Sequence, residues 1–144
     1  MKKTVFILFL AVAVLTACDL EHSDNGKLDG NWQLTQLDTL STGGSADMKE
    51  SNIFWSVEHH LLECKNLHNI EQNVFFRFEH GEGTLRLYHP ISDNKFISDS
   101  IVTSPVTLRV FGIQHLDETF LIEKLTSSHM MLRNELYRFH FRKY

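Results

Sequence analysis

Apolar and polar side chains alternate along the C-terminal residues 136–144. Odd-numbered positions carry the rings of Tyr137, Phe139 and Phe141, whereas the positions between them carry arginine or histidine. Because successive side chains of an extended strand point to opposite faces, this period of two predicts a strand with one buried face and one wet face. An amphipathic helix would repeat every three to four residues, so the pattern restricts this segment to a half-buried β-strand.

The chain after residue 28 is rich in β-branched and aromatic residues, and no segment of it repeats with a helical period. Antiparallel strands that follow one another along the chain leave unpaired edges unless the sheet closes on itself. The sequence therefore predicts an all-β fold, an up-and-down meander closing into a small barrel of about eight strands, with a two-sheet β-sandwich as the alternative. Strands are predicted at 31–38, 52–65, 74–79, 84–89, 106–111, 120–125, 129–133 and 136–144, and one helical turn within 112–118.

The N-terminal residues have the features of a secretory signal peptide. Two lysines at positions 2 and 3 precede an uncharged apolar run at 5–14. A membrane-spanning helix needs about 20 apolar residues, so this run is too short to be one. It leads into Leu15-Thr16-Ala17-Cys18, which resembles the bacterial lipobox. The resemblance implies that residues 1–17 are removed and that the Cys18 thiol receives a diacylglycerol.

A lipidated Cys18 would anchor the mature protein to a membrane. Each buried CH₂ group contributes about 0.8 kcal/mol, and two or three acyl chains hold a protein where one chain alone is marginal. Residues 18–27 are polar apart from Leu20 and are expected to form a flexible tether before a single domain at 28–144. We expect a lipid-anchored protein of the bacterial cell envelope, in the outer membrane and facing the periplasm or the surface. The alternative is a secreted protein with a cysteine beside an ordinary cleavage site.

Charge and cysteine content exclude several classes of protein. Removal of residues 1–17 takes away two lysines and no acidic residue, which leaves 12 basic and 18 acidic residues. Without a basic stripe, neither nucleic acid nor a polybasic membrane-surface role is expected. Once Cys18 is lipidated, Cys64 has no partner for an intrachain disulfide. We interpret Cys64 as a half-buried structural residue, and stability must come from packing.

The start of the first predicted strand carries Gly30-Asn31-Trp32, and an arginine stands late in the last one. Together these residues resemble the Gly-x-Trp signature of lipocalins and lipocalin-like (calycin) proteins. In that family the tryptophan closes one end of the barrel and packs against the arginine. The resemblance implies that Trp32 pairs with Arg142, or with Arg138. A contact of this kind contributes about 0.5 to 2 kcal/mol.

A second resemblance covers most of residues 28–144. Segments 108–113, 120–125, 130–132 and 141–143 are similar to the C-terminal half of small lipocalin-like lipoproteins of gut-type anaerobic bacteria. This resemblance implies a fold and a location in the cell envelope, but it implies no activity. The domain is short for a classical lipocalin, whose other motifs are not evident.

Aromatic side chains are predicted to line the barrel interior, where they would suit a small apolar or aromatic ligand. The alternative is that the same rings fill the core completely. In that case the protein would be an envelope interaction or assembly protein that docks a neighbour through the loops at 40–51 and 90–104. The predicted interior residues are Trp32, Phe54, Trp55, Phe76, Phe78, Phe120, Tyr137, Phe139 and Phe141.

No pattern of catalytic or metal-binding residues is evident. The nine histidines are scattered, and His59 and His60 would point to opposite faces of a strand. No pair of carboxylates, nucleophile motif or phosphate-binding loop is recognisable. The sequence therefore predicts a protein that is not an enzyme and has no metal or cofactor.

Overall fold

A computed structural model describes residues 23–93 and 100–144 of the chain. In these residues the alternating segments form β-strands, ten in all, and four short 3₁₀ helices connect or flank them. The predicted signal peptide and Cys18 lie outside these residues. Among the residues described, no helix has the length and apolar character needed to span a membrane. The strands are β1 (Gly30–Thr39), β2 (Gly44–Asp47), β3 (Ile53–Glu58), β4 (Leu61–Asn66), β5 (Val74–Gly81), β6 (Thr84–Ser92), β7 (Ser100–Ile101), β8 (Glu118–Leu125), β9 (His129–Arg133) and β10 (Tyr137–Lys143). The 3₁₀ helices are Gly26–Leu28, Lys49–Ser51, Ile70–Gln72 and Pro105–Phe111.

Eight of the strands close into a barrel. Their order is β1-β3-β4-β5-β6-β8-β9-β10, neighbouring strands are antiparallel, and β10 pairs back with β1. Strand β2 pairs with the second half of β1, and β7 is a two-residue edge strand on β6. The predicted all-β barrel is confirmed. The sandwich alternative is wrong, because two separate sheets would lack the pairing of β1 with β10.

A β-bulge in β1 changes which residues face the interior. The pairing with β10 shifts between Leu34 and Gln36, so Thr35 is an extra residue and the alternation reverses after it. Leu34 is fully buried, and the next residue packed against the core is Leu37. Strict alternation would instead place Gln36 on the same face as Leu34. Because of the bulge, the Gln36 side chain lies on the outer face and donates a hydrogen bond to Asp38 at 2.8 Å.

The segment predicted as one strand at 52–65 is a hairpin, β3–β4. The chain turns at His59 and His60, and His59 adopts a positive φ of 52°. The hairpin places Trp55 of β3 directly opposite Cys64 of β4. Both side chains belong to the buried core of the barrel.

The segment predicted as a strand at 106–111 is instead the 3₁₀ helix Pro105–Phe111. Ser104 caps the start of this helix by accepting a hydrogen bond from the Val106 amide at 3.4 Å. Proline suits the first helical position because it has no N–H to donate. Gly112 ends the helix with a φ of 78°. The helical turn predicted within 112–118 was wrong, because the helix ends before these residues and none lies within them.

The domain begins earlier than residue 28. The Ser23 hydroxyl donates to Asp29 and accepts from the His59 amide at 2.7 Å. The Asn25 side chain donates to the His59 carbonyl oxygen at 2.8 Å. These bonds fix the start of the described chain to the β3–β4 turn. The prediction of a tether was therefore wrong for residues 23–27, because their polar side chains find partners that only the fold supplies.

Cys64 is fully buried, and not half-buried as predicted. Burial raises the pKa of the Cys64 thiol well above its ordinary value, and the charge of Glu63 acts in the same direction. The reactive thiolate is therefore scarce in the folded protein.

We expect Cys64 to resist alkylation until the barrel opens. The mature chain with Cys18→Ser has Cys64 as its sole thiol, so iodoacetamide labelling can be followed by mass spectrometry. Labelling should be undetectable in native buffer and complete within minutes in concentrated urea. Rapid labelling in native buffer would contradict the burial.

Asp38 takes part in a polar cluster on the outer face where β1 pairs with β10. Its carboxylate accepts a hydrogen bond from Gln36 and lies 2.7 Å from Nε2 of His140. The side-chain hydrogen bonds of Gln36 and then of His140 lower the pKa of Asp38 from 3.8 to about 2. Because the folded-state pKa is the lower one, the ionised carboxylate stabilises the fold above about pH 4, and this contribution is lost as the pH falls towards 2.

The variant Asp38→Asn isolates this contribution, because an amide does not titrate. Between about pH 4 and pH 2 we expect the urea midpoint of the wild type to fall more steeply than that of the variant. Parallel curves over the whole range would show that the Asp38 pKa is not lowered.

Candidate functional site

The structure gathers the predicted aromatic residues at the barrel interior. Phe78 is nearly buried, and Tyr137 is half-buried against the core. Their role in binding a ligand stays a prediction. Phe54 does not join them, because it neighbours Trp55 on β3 and points to the opposite face, where its ring packs edge-on against Tyr144 at 5.5 Å. The fully buried members are Trp32, Trp55, Phe76, Phe120, Phe139 and Phe141.

Trp55 is the centre of the aromatic interior. Its ring centroid lies 5.6 Å from that of Phe120, 5.7 Å from that of Phe139 and 5.0 Å from that of Phe141. Phe120 and Phe139 are themselves 5.6 Å apart in an edge-to-face arrangement. Centroid distances of 4.5 to 7 Å are those of directly packed rings. These four rings therefore fill the middle of the barrel.

The two tryptophans differ in their hydrogen bonding. Trp32 Nε1 donates to the Leu28 carbonyl oxygen at 2.8 Å. Trp55 Nε1 is equally buried, but within the described part of the chain no acceptor lies in hydrogen-bonding reach of it. A buried donor left without a partner costs about 1–3 kcal/mol. Trp55 thus brings an unpaired polar atom into an otherwise apolar region.

One end of the barrel, which we call the closed end, is covered by the helix Gly26–Leu28 and by Lys143. Leu28 is fully buried. The Lys143 ammonium lies 4.6 Å from the centroid of the Trp32 ring. It also donates to the carbonyl oxygens of Lys27 and Asp29, at 3.1 and 2.7 Å. This contact joins the last strand to the segment that precedes the first.

The predicted pairing of Trp32 with Arg142 was wrong. Arg142 lies on the outer face of β10, where it donates to the Gln33 side chain at 3.4 Å. Arg138, the other candidate, binds Glu123 on the same outer face. The cation over Trp32 comes from Lys143, which shares the parity of Phe141 and therefore the inner face. The alternation of the last strand already contained this signal.

The opposite end, which we call the mouth, is where β8 and β10 begin. The helix Pro105–Phe111 and the residues after it lie across it. Their apolar side chains Leu108, Phe111 and Ile113 are fully buried in the core cluster. Gly112 sits so close to Phe139 that an added Cβ would lie 2.5 Å from its Cε1 atom. One connecting segment therefore closes the mouth.

A buried polar pair holds that segment in place. The Glu118 carboxylate accepts hydrogen bonds from the amides of Gln114 and His115 at 2.6 and 3.1 Å. The Asn134 side chain donates to Glu118 at 2.8 Å and to the Gly112 carbonyl oxygen at 3.2 Å. Neither residue belongs to a recognisable sequence motif, and only the turn preference of Asn134 indicates a structural role in the sequence.

A groove of about 320 Å³ lies at the rim of the mouth. It runs between the helices Ile70–Gln72 and Pro105–Phe111 and beside β7. Val74 and Val102 supply apolar lining, and serine and threonine hydroxyls supply most of the rest. The groove borders the segment that closes the mouth.

Within residues 23–93 and 100–144, no three His, Cys, Asp or Glu side chains converge closely enough to hold a metal ion. The adjacent His59 and His60 lie in the β3–β4 turn, and not within a strand as predicted. Nε2 of His68 lies within hydrogen-bonding distance of the Asn52 side chain and of the Glu50 carbonyl oxygen.

The family model of a lipocalin-like domain matches residues 13–144. The chain belongs to this lipocalin-like family. No curated protein matches it significantly. A lipocalin-like protein from Bacteroides uniformis has a similar solved structure, with a TM-score of 0.62, 20% identity, and coverage of 83% of this chain and 100% of that one. An uncharacterised protein from Bacteroides eggerthii has a TM-score of 0.55 at 19% identity, covering 81% and 98% of the two chains.

These comparisons confirm the resemblance to lipocalin-like proteins of gut anaerobes. At such low identities the two solved structures establish the fold alone. Lipocalin-like barrels are typically binding folds and not catalytic ones, although a fold does not by itself dictate a function.

Substitution of Gly112 tests the packing at the mouth. We expect Gly112→Ala to lower the free energy of unfolding by about 2–5 kcal/mol, because it combines a positive φ with a clash against Phe139. Gly43 has a similar φ of 70° but open space around it, so Gly43→Ala should cost only about 1–2 kcal/mol. Equal losses in chemical denaturation would contradict the close contact.

Proposed function

We propose that this protein is a lipid-anchored binding protein of the bacterial envelope, which holds a small hydrophobic molecule inside its lipocalin-like barrel. The observation that carries the proposal is an interior of apolar, largely aromatic side chains that one connecting segment closes at the mouth. A closed barrel of about eight strands has room for one small ligand when its own side chains make way.

The side chains that would make way are those of the closing segment. Leu108, Phe111 and Ile113 are held there by a short helix and by the hydrogen bonds of Glu118 and Asn134. The strands of the barrel, by contrast, are fixed by continuous pairing with two neighbours. Displacement of this segment would open the interior at the mouth without breaking the barrel.

The anchor and the mouth would lie at opposite ends of the protein. Ser23 is hydrogen-bonded to the β3–β4 turn, which lies at the closed end. Five peptide steps join Cys18 to Ser23, and they reach at most about 18 Å when fully extended. A lipidated Cys18 would therefore hold the closed end near the membrane and direct the mouth away from it.

A second candidate is an envelope interaction protein with a permanently filled core. It is favoured by the direct packing of Trp55 against three phenylalanine rings. Large aliphatic side chains exposed at the mouth would then contact a neighbouring protein, and crosslinking in intact cells would trap one defined partner. These side chains are Leu67, Ile70, Ile91, Ile101, Val106, Val110 and Leu136.

The two candidates differ in the response to Phe111→Ala. With the neutral fluorescent probe 1-aminoanthracene, a ligand-binding barrel should bind in the wild type and at least as tightly in the variant, because the variant enlarges the interior at the mouth. Bound probe at 100 times its Kd should stabilise the protein by about 2.7 kcal/mol. A permanently filled core should lose about 3–5 kcal/mol on this substitution and gain nothing from the probe.

Val106→Ala is the matched control, since Val106 belongs to the same helix but is 60% exposed. It should change neither probe binding nor stability noticeably. Native mass spectrometry of the mature chain with Cys18→Ser, gently purified from bacteria, should also detect a small molecule lost on organic extraction. Absence of both probe binding and a retained molecule would contradict the proposed function.

A further inference from the structure

The unpaired indole N–H of Trp55 indicates which chemistry the interior would recognise. Trp55 is fully buried, and among the described residues Nε1 has no acceptor. Its neighbours Phe120, Phe139 and Phe141 carry no hydrogen-bond acceptor other than their ring faces, which are weak ones. An oxygen atom brought in by a ligand would satisfy this donor.

None of the described buried polar side chains accepts a hydrogen bond from Trp55 Nε1. The Asn66 backbone amide donates to the Asn73 side chain near the β4–β5 connection, and the Asn66 side chain donates to Gln72. Glu118 and Asn134 are engaged at the mouth, and Gln33 lies on the outer face beside Arg142. Apart from the indoles of Trp32 and Trp55, every described side chain of the buried core cluster is apolar or a thiol.

The charged groups of the barrel interior also restrict the charge that a ligand beside Trp55 can carry. The cation on the inner face of β10 is Lys143, whose ammonium is already held by two carbonyl oxygens at the closed end. At the mouth, the buried Glu118 would repel an anion. A carboxylate buried next to Trp55 would therefore lack a counter-charge, and burial of an unpaired charge is strongly unfavourable.

We propose, building on the proposed function, that the ligand is a neutral hydrophobic molecule with an uncharged oxygen acceptor, such as a ketone, an ester or a hydroxyl, and that Trp55 Nε1 donates to this oxygen. Trp55 is then a specificity-determining residue. A site that hydrogen-bonds a ligand group discriminates against the analogue that lacks it, because the donor is again left unpaired.

The test uses the mature chain with Cys18→Ser and three probes of equal chain length: 2-undecanone, undecane and undecanoic acid at neutral pH. We expect the wild type to bind the ketone best and the carboxylate least. In Trp55→Phe, which keeps a ring but removes the donor, the affinity for the ketone should fall about tenfold, while the affinity for undecane stays the same. Phe54→Leu removes an outward-facing ring from the same strand and should leave the ketone preference intact.

If Trp55→Phe folds poorly, NMR spectroscopy of the protein with Trp55 in place still tests the inference. The two indole N–H groups give separate signals in a ¹H–¹⁵N spectrum, and only that of Trp55 should move downfield when 2-undecanone binds. Undecane should not produce this change. A signal already at a hydrogen-bonded position without any probe would reveal a buried water on Nε1 and overturn the inference.

The outcomes separate this inference from the function on which it rests. If 1-aminoanthracene and all three probes bind but the ketone preference is equal in wild type and Trp55→Phe, the barrel binds ligands and the role of Trp55 is wrong. Tighter binding of the carboxylate than of the ketone would also overturn it. If none of the probes binds to wild type or to Phe111→Ala, both proposals fail together.

Discussion

The pairing of β10 with β1 is the contact on which the rest of this structure depends. It joins the two ends of the domain, and one of its bonds, from Thr35 to the His140 carbonyl oxygen, spans 105 positions of the chain. Without it the sheet would have two open edges, and the inner faces of both strands would meet water. Its entropic cost is offset by the burial of Trp32, Phe139 and Phe141, which become core residues only when the barrel is closed.

Closure of the barrel also makes its two ends different. The closed end is built from local contacts, because the helix Gly26–Leu28 and Trp32 are close in sequence, and Lys143 completes it. The mouth depends on a long connection whose buried side chains are fixed by two polar residues, Glu118 at the start of β8 and Asn134 in the turn between β9 and β10. A segment held by a few side chains opens at a lower free energy than paired strands do, and this asymmetry is what relates the fold to binding at the mouth.

The aromatic interior combines two properties that normally exclude each other. Packed rings around Trp55 stabilise the barrel as an ordinary core would, yet the same residue carries a donor that the described core does not satisfy. Proteins tend to break such local rules where function requires it. A core of this composition would also explain why aromatic content alone could not decide between a filled barrel and a binding site.

Strand alternation in the sequence determined the fold class and most of the inner faces, because a period of two has only one structural interpretation. It predicted that the rings of β10 point inward. Since residue 143 is also odd-numbered, the same alternation placed Lys143 on the inner face. The tertiary structure decided the rest. The apolar run after Pro105 suits either a strand or a short buried helix, and its place over the mouth depends on the close approach of Gly112 to Phe139. The bulge at Thr35, the clamp between Glu118 and Asn134 and the unpaired Trp55 N–H depend on partners distant in sequence, and local patterns carry no information about such partners.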